Sequence, residues 1–554
     1  MVTVGELRDA QLGSLDTAAD AWITFGKRAE DLSGDTSAEL IGPLRASPWA
    51  GPAADAAFHL LDKVDDEFEV AAMQVRTIGA LLSGAADELR GLQRQLQALI
   101  GEAAGQGFTV GDDGRVTPPQ QTYAEIHDPD SALVMQQRMN VARDLAHRVA
   151  DILTRATDAD RRCSRALDEL ITEVFGQEPY EYGDASDDAR AAADALGLTE
   201  ATIPAAGTDP RQVNAWWKTL TPEQQQLYLT AYPARFGALD GMPSGDRDYA
   251  NRLALRDYIG DNVNNYRDHR NDQHDRALML LDKLERSEQG PDTTRLYLLT
   301  IDPVGDGKAA VAIGNPDTAD HTAVLVPGVG NKLDDIGLLI DRSGRIQSDA
   351  LQMAPGSTVS VVGWLGYDTP SLDEDIVTAT AGGKSRAGAA ALDGFVNGLH
   401  ATHQAGVSDH ITAIGHSYGS TVLGEAASHG DGLAVTDMVA VGSPGMRVAG
   451  AEYFNVPTDH VWAGAAADDN FVARPENTAR KIPLIGDWIG ETANEHVHGP
   501  GPHYPQFGGN VLSIDTQGHS GYWDNDSLSL HNQAAVVTGA YNRVIITSGK
   551  VPPS

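Results

Sequence analysis

Residues 411–424 read Ile-Thr-Ala-Ile-Gly-His-Ser-Tyr-Gly-Ser-Thr-Val-Leu-Gly, and they constrain the fold more tightly than any other stretch. The apolar run at 411–414 predicts a buried strand. Gly415-His416-Ser417-Tyr418-Gly419 follows as G-x-S-x-G, and 421–428 predicts a helix able to pack Val422, Leu423, Ala426 and Ala427 on a sheet. Strand, G-x-S-x-G and helix in that order are the context of a nucleophile elbow. So tight a turn forces the serine into a strained backbone conformation, and Gly415 and Gly419 remove Cβ atoms that would clash. Ser417 Oγ then stands above the sheet, beside a helix N-terminus that favours negative charge.

The strands around this one set the fold class. Runs at 296–301 and 309–313 flank Asp-Gly turn residues and predict an antiparallel hairpin. The runs at 322–326, 358–362, 411–414, 438–441, 461–462 and 511–514 are continuously apolar, as strands buried on both faces are. Helical stretches separate several of them. The expectation is an α/β fold, an open and mostly parallel sheet with helices on both faces, whose ligand sits beyond the C-terminal strand ends.

Before 290 the chain reads as helical, and 554 residues are more than one ordinary domain holds. Leu7, Leu12, Leu15 and Ala19 keep helical spacing, as do Phe58, Leu61, Val64 and Phe68. Between these runs lies Ser47-Pro48-Trp49-Ala50-Gly51-Pro52, a turn carrying W-x-G. Residues 107–120 predict a small β-hairpin with Asp-Gly at its turn, and helix returns over 129–175. The domain expectation is an all-α helical bundle over 1–180, an acidic linker over 181–208, and an α/β domain over 209–554 with a helical lead-in at 209–290. The helical hairpin with W-x-G at its bend resembles the small secretion substrates of the type VII system of actinobacteria. Tyr180 and Asp184, in Y-x-x-x-D spacing, resemble the export signal of such substrates. That resemblance implies a W-x-G-type helical partner or the secretion machinery as a partner.

Charge and termini narrow the function classes. The formal net charge of −37, from 78 acidic and 41 basic residues, excludes nucleic acid as a partner and disfavours docking on an anionic membrane. A single cysteine, Cys163, excludes an intrachain disulfide and a cysteine-based metal site. The first residues carry no basic region and no long apolar run, and no window reaches the roughly 18 apolar residues of a spanning helix. The expectation is a chain that is cytoplasmic, or secreted by a type VII-like route without a cleaved signal peptide, and that has no transmembrane segment.

The lead-in carries a second resemblance. Trp216-Trp217-x-x-Leu220-x-Pro222-Glu223, Leu239-Asp240-Gly241-x-Pro243 and Arg247-Asp248-x-Ala250-Asn251-Arg252 occur in this order ahead of the strands. Together with the sheet region to about 548 they resemble alpha/beta hydrolase family eight of actinobacteria. The resemblance implies an alpha/beta-hydrolase fold. From the residues alone, Trp216, Trp217 and Arg252 read as packing of the lead-in on the sheet domain. Thr221 and Gln224 form a possible capping box for the helix starting at Pro222.

A serine needs a base to take its proton and a third group to hold that base, in the chain order Ser, acid, His for this fold. Past the predicted strand at 461–462 come Asp468 and Asp469. Asp469 has the D-x-x-V spacing, and Asp468 stands as the alternative acid. His519, in Gly518-His519-Ser520-Gly521-Tyr522-Trp523, sits in a loop after the last predicted strand and resembles the family's G-H-S-x-Y-W string. The oxyanion hole is expected from the backbone N–H groups of Tyr418 and Val329, the latter in Pro327-Gly328-Val329-Gly330-Asn331. Gly328, Trp364, Tyr367 and His416 are expected to line the substrate pocket, with packing at the sheet edge an equal reading for Trp364 and Tyr367, and with His416 packing there rather than reacting. His496, His498 and His503 lie in a Gly/Pro-rich loop without a helix or strand to fix ligand spacing, so no metal and no cofactor is expected. The expected activity is hydrolysis of a carboxylic ester, such as a lipid ester, through an acyl-enzyme on Ser417. The alternative is a secreted effector that acts mainly by binding.

Overall fold

The computed structural model describes residues 1–174, 182–266, 272–288, 290–370, 382–469, 472 and 498–552. They fall into two compact units, residues 1–203 with 220–232, and residues 204–219 with 233–554. The division is therefore not a single cut near 208, because the short segment 220–232 belongs with the helical unit.

The first unit is built on helices α1 (Gly13–Thr36) and α2 (Pro52–Gly105). Their contacts pair Asp16 with Arg90, Ile23 with Gly79, Gly26 with Arg76 and Ser33 with Asp65, so the two helices run antiparallel. Gly26 and Gly79 allow the close approach, since a Cβ on Gly79 would fall 2.6 Å from the Ile23 side chain. At the bend Gly51 has φ +106°, a conformation that favours glycine, and Pro52 begins α2 with its preset φ. Trp49 packs edge-on against Phe58 with centroids 5.8 Å apart. Strands β1 (Thr109–Val110) and β2 (Val116–Thr117) form the small antiparallel hairpin, with Gly114 in its turn at φ +79°. Helix α3 (Ser131–Val174) joins a core of Leu92, Leu96, Leu99, Leu145, Val149 and Leu153.

The stretch expected as a linker folds as helix α4 (Tyr182–Ala195). Its acid content hid a stripe of buried alanines, Ala185, Ala189, Ala192 and Ala193, at helical spacing. Small residues let a helix approach its neighbours closely, and the buried Asp188 accepts a 2.7 Å hydrogen bond from Gln74. Asp184 lies in the first turn of α4, whereas Tyr180 lies outside the described residues.

The second unit holds helix α5 (Pro210–Trp217), while α6 (Pro222–Ala231), with its Thr221/Gln224 capping box formed, belongs to the first. After α7 (Ser244–Tyr266) and α8 (Asp272–Glu288) come the strands. They are β3 (Leu296–Asp302), β4 (Lys308–Ile313), β5 (His321–Val326), β6 (Val359–Leu365), β7 (His410–His416), β8 (Asp437–Val441), β9 (Val461–Gly464), β10 (Asn510–Leu512) and β11 (Ile546–Ser548). Helices α9 (Ile336–Met353), α10 (Gly383–Thr402), α11 (Tyr418–Ser428) and α12 (Leu528–Val537) alternate with them. The sheet order is β11-β10-β9-β8-β7-β5-β6-β4-β3. Pairing is parallel from β6 through β10 and antiparallel at β3/β4, β4/β6 and β10/β11. Successive residues feed opposite faces, with Ala323 and Leu325 in one core cluster and Val324 and Val326 in the other, which is why the runs are continuously apolar. Strand order reverses at β5, which has β6 on one side and β7 on the other, so the crevice at the switch point opens beyond the ends of β5 and β7.

The Arg-Asp-x-Ala-Asn-Arg string covers the edge strand β3. Asp248 accepts from the Leu298 N–H at 2.7 Å and from Arg252 Nε at 2.7 Å. Asn251 Nδ2 donates to Leu298 O at 2.9 Å, and Arg252 donates to Leu296 O at 2.9 Å. Side chains from α7 thus take the place of a further strand on backbone groups that an edge leaves unpaired. Trp216, Trp217 and Phe236 pack together, with Trp217 Nε1 donating to Asp246 at 2.8 Å. Among the described residues no helix is long and apolar enough to cross a membrane.

Asp248→Ala removes the carboxylate that Arg252 and the Leu298 N–H share in a buried site, and breaking such a pair costs about 3 kcal/mol. Urea unfolding followed by tryptophan fluorescence should move to a lower midpoint in this variant and move less in Asp248→Asn.

Candidate active site

Strand β7 ends at His416 and α11 begins at Tyr418, so the whole turn is one residue, Ser417, at φ 53° and ψ −127°. A non-glycine residue held at positive φ costs roughly 1–3 kcal/mol, and the surroundings must hold it there. The Ser417 N–H donates to Val441 O at 3.1 Å, and Ser417 O accepts from Ser420 N and Ser420 Oγ at 3.0 and 2.6 Å. The flanking glycines are required by space. A Cβ on Gly415 would lie 2.6 Å from Ser420 Cα, and one on Gly419 would lie 2.2 Å from Val326 O.

Past β9 a turn presents Asp469, whose side chain is fully buried. Its two oxygens accept from His519 Nδ1 at 3.0 and 2.9 Å. A ring nitrogen facing a carboxylate carries the proton, so in the neutral ring the lone pair of His519 is on Nε2. Asp468 is exposed and instead accepts from the Gly518 N–H at 2.8 Å. The structure thus brings Asp469, and not Asp468, against the imidazole.

Tyr522 was not anticipated as a site residue. Its hydroxyl donates to Asp469 Oδ2 at 2.6 Å and accepts from the Ala466 N–H at 3.1 Å. Burial first, and Asp469 second, push its pKa far above the ordinary tyrosine range, so it stays a donor. The signal in the sequence was its place in the Gly-His-Ser-x-Tyr-Trp string, three residues after His519.

The loop after β5 passes close to Ser417. A Cβ on Gly328 would fall 2.6 Å from Ser417 Cβ, so only glycine fits. Side chains and backbone hold this loop from several sides. Tyr367 OH donates to Pro327 O at 2.7 Å, Asn331 Nδ2 to Gly328 O at 2.9 Å, and Thr369 Oγ1 to Asn331 O at 2.8 Å. The Gly330 N–H donates to Pro370 O at 2.9 Å. Val329 is half-buried within it, and Tyr418 opens α11 with its side chain buried.

Three of the four residues expected at the pocket are buried. Trp364 and Tyr367 are 2% and 4% exposed and stack at 6.1 Å in the core, with Trp364 also against Phe395. Their size and apolar surface pay best under the loop, which Tyr367 props up. His416 is 6% exposed, donates from Nε2 to His519 O at 2.8 Å, and lies with its ring 4.8 Å from that of His519. Burial holds its pKa down to about 3, with His519 adding to the effect.

Of the loop histidines, His498 stands edge-on to the Tyr418 ring at 6.2 Å, and its carbonyl accepts from the Arg447 N–H at 2.6 Å. Burial holds both His498 and His503 down to about 4. His496 lies outside the described residues. His531 is in the first half of α12, paired with Asp349. Among the described residues no group of three or more His, Cys, Asp or Glu side chains is placed to hold a metal ion.

The buried His416 and the half-buried His321, His498 and His503 make stability depend on pH. His321, His416, His498 and His503 take up a proton near 6.5 in the unfolded chain but only near 3 to 4 when folded. Their contribution is therefore complete above about pH 6.5 and is lost as pH falls from there toward about 4, with His400, raised by Asp409, opposing them. The apparent Tm should fall between pH 7.5 and pH 5, before ordinary carboxylates titrate. A flat profile over that range would contradict the burial of these rings.

The family model described as alpha/beta hydrolase matches residues 302–479. Curated relatives include an uncharacterized protein of Mycobacterium tuberculosis, 31% identical over 384 residues, which cover 61% of this chain and 57% of the relative. Another, from Mycobacterium bovis, is 31% identical over 204 residues, 35% of this chain and 71% of the relative. The chain thus spans somewhat over half the length of the first of these relatives. No solved structure matches it. With a mostly parallel sheet of nine strands among the described residues and a G-x-S-x-G turn at its switch point, the chain belongs to the alpha/beta hydrolase family.

Proposed function

We propose that the protein is a serine hydrolase that cleaves carboxylic esters, lipid esters among them, through an acyl-enzyme on Ser417. The observation that carries this reading is the buried Asp469 carboxylate on His519 Nδ1, at the strand ends where Ser417 occupies the strained turn. His519 Nε2 takes the proton of Ser417 Oγ as the oxygen attacks the acyl carbon. The tetrahedral oxyanion is received by the backbone N–H groups of Tyr418 and Val329. His519 then gives the proton to the departing alcohol, and water repeats the sequence to free the acid. Asp469 fixes the tautomer and stabilises the imidazolium, and Tyr522 keeps Asp469 in place.

The helical hairpin supports a second role. Trp49 remains 44% exposed beside Gly51 at the bend, an arrangement that fits export by a type VII-like route with a W-x-G-type helical partner. Finding the chain only in the cytosol of its producer would remove that role without touching the chemistry.

Hydrolysis of p-nitrophenyl butyrate tests the first reading. Ser417→Ala and His519→Ala should fall to background, and Asp469→Asn should lose about 10⁴-fold in kcat through the wrong tautomer. Asp468→Asn, which loses a charge but keeps an amide oxygen to accept from the Gly518 N–H, should change the rate by less than about tenfold. Equal losses from the two aspartates would overturn the assignment of the acid.

A further inference from the structure

His416 immediately precedes the nucleophile, and His519 lies 103 residues further along the chain, yet the His416 Nε2 is 2.8 Å from the His519 carbonyl oxygen. A ring nitrogen facing a carbonyl must carry a proton, which fixes the His416 tautomer as Nε2–H. The two imidazoles lie 4.8 Å apart at 40°, so a charge on either would be felt by the other. The His416 ring is also held edge-on by Trp523 at 5.0 Å. Trp523 in turn lies under the Arg342 guanidinium at 4.4 Å, and its carbonyl accepts from Arg345 at 2.9 Å. The donor is therefore aimed by packing and not by chance.

We propose that His416 is a positioning residue, whose Nε2–H grips the backbone carbonyl of His519 and ties the base directly to the turn that carries the nucleophile. The inference rests on the reading of Ser417, His519 and Asp469 given above. Asp469 holds the far side of the base ring at Nδ1, while His416 holds the backbone from which that ring hangs. Between them the Nε2 lone pair of His519 is fixed from two ends. Burial keeps His416 neutral at working pH, so it holds the base without adding a second positive charge when His519 becomes imidazolium.

The test is the second-order rate of labelling by a fluorophosphonate ester from pH 5 to 9, on the full chain. The variants are His416→Phe, which keeps a ring and loses the donor, and His416→Gln, whose amide N–H reaches the place of Nε2, beside His519→Ala. Thermal melts check that each is folded. His416→Phe should label about 10- to 100-fold more slowly with the midpoint of its pH profile unmoved, and His416→Gln should recover to within about fivefold of wild type. If Phe is not tolerated, Met matches Gln in length and lacks the donor, and it replaces Phe in the same comparison. A folded donor-free variant labelling at the wild-type rate, or His416→Gln as slow as that variant, would overturn the proposal. Failure of the underlying reading would look different, because His519→Ala would then label as fast as wild type whatever His416 does.

Discussion

Close approach between the start of α11 and the end of β5 is the constraint on which the site depends. Gly419 lies so near Val326 O that no side chain fits, and Gly328 lies too near Ser417 for one. These contacts press the Ser417 turn into one residue at positive φ, with its carbonyl taken up by Ser420. The strain is maintained by the sheet, since β7 is paired on both sides by parallel strands and buried from Ile411 to His416. A more relaxed turn would withdraw the hydroxyl from the strand ends, where the loop after β5 and the N-terminus of α11 meet.

The second dependency is a buried charge. Asp469 is out of water, and it is tolerable there because His519 and Tyr522 both donate to it. The same logic recurs at the other end of the strands, where Asp437 at the start of β8 accepts from His410, His460, Trp462 and Tyr541. In each place aromatic side chains with a polar tip supply both packing and the hydrogen bonds a buried carboxylate needs.

Local patterns made the elbow, the alternation of strand and helix, the β1/β2 hairpin and the Thr221 capping box legible from the sequence, because each is written within a few residues. The juxtaposition of Asp469 and His519 was legible through chain order and position after strands. What was not legible depends on three-dimensional environment. The acids of α4 disguised a stripe of alanines that is buried on one face. Trp364 near the end of β6 and Tyr367 just past it stand where pocket residues do, but both are buried, and Tyr367 props the loop after β5. That Arg252 packs on the sheet domain was legible, but the partners of the Arg247–Arg252 string, the backbone groups that β3 leaves unpaired as an edge strand, were not. The link from His416 to the His519 carbonyl joins residues that no spacing rule connects.

The most direct measurement is the location of a fluorophosphonate adduct by peptide mass spectrometry on the folded chain, beside a sample unfolded in urea before the reagent is added. An activated serine built by this fold predicts one adduct, on the peptide containing Ser417, that is absent from the unfolded sample. An adduct on another residue, equal modification of folded and unfolded chains, or none on the folded protein would contradict it.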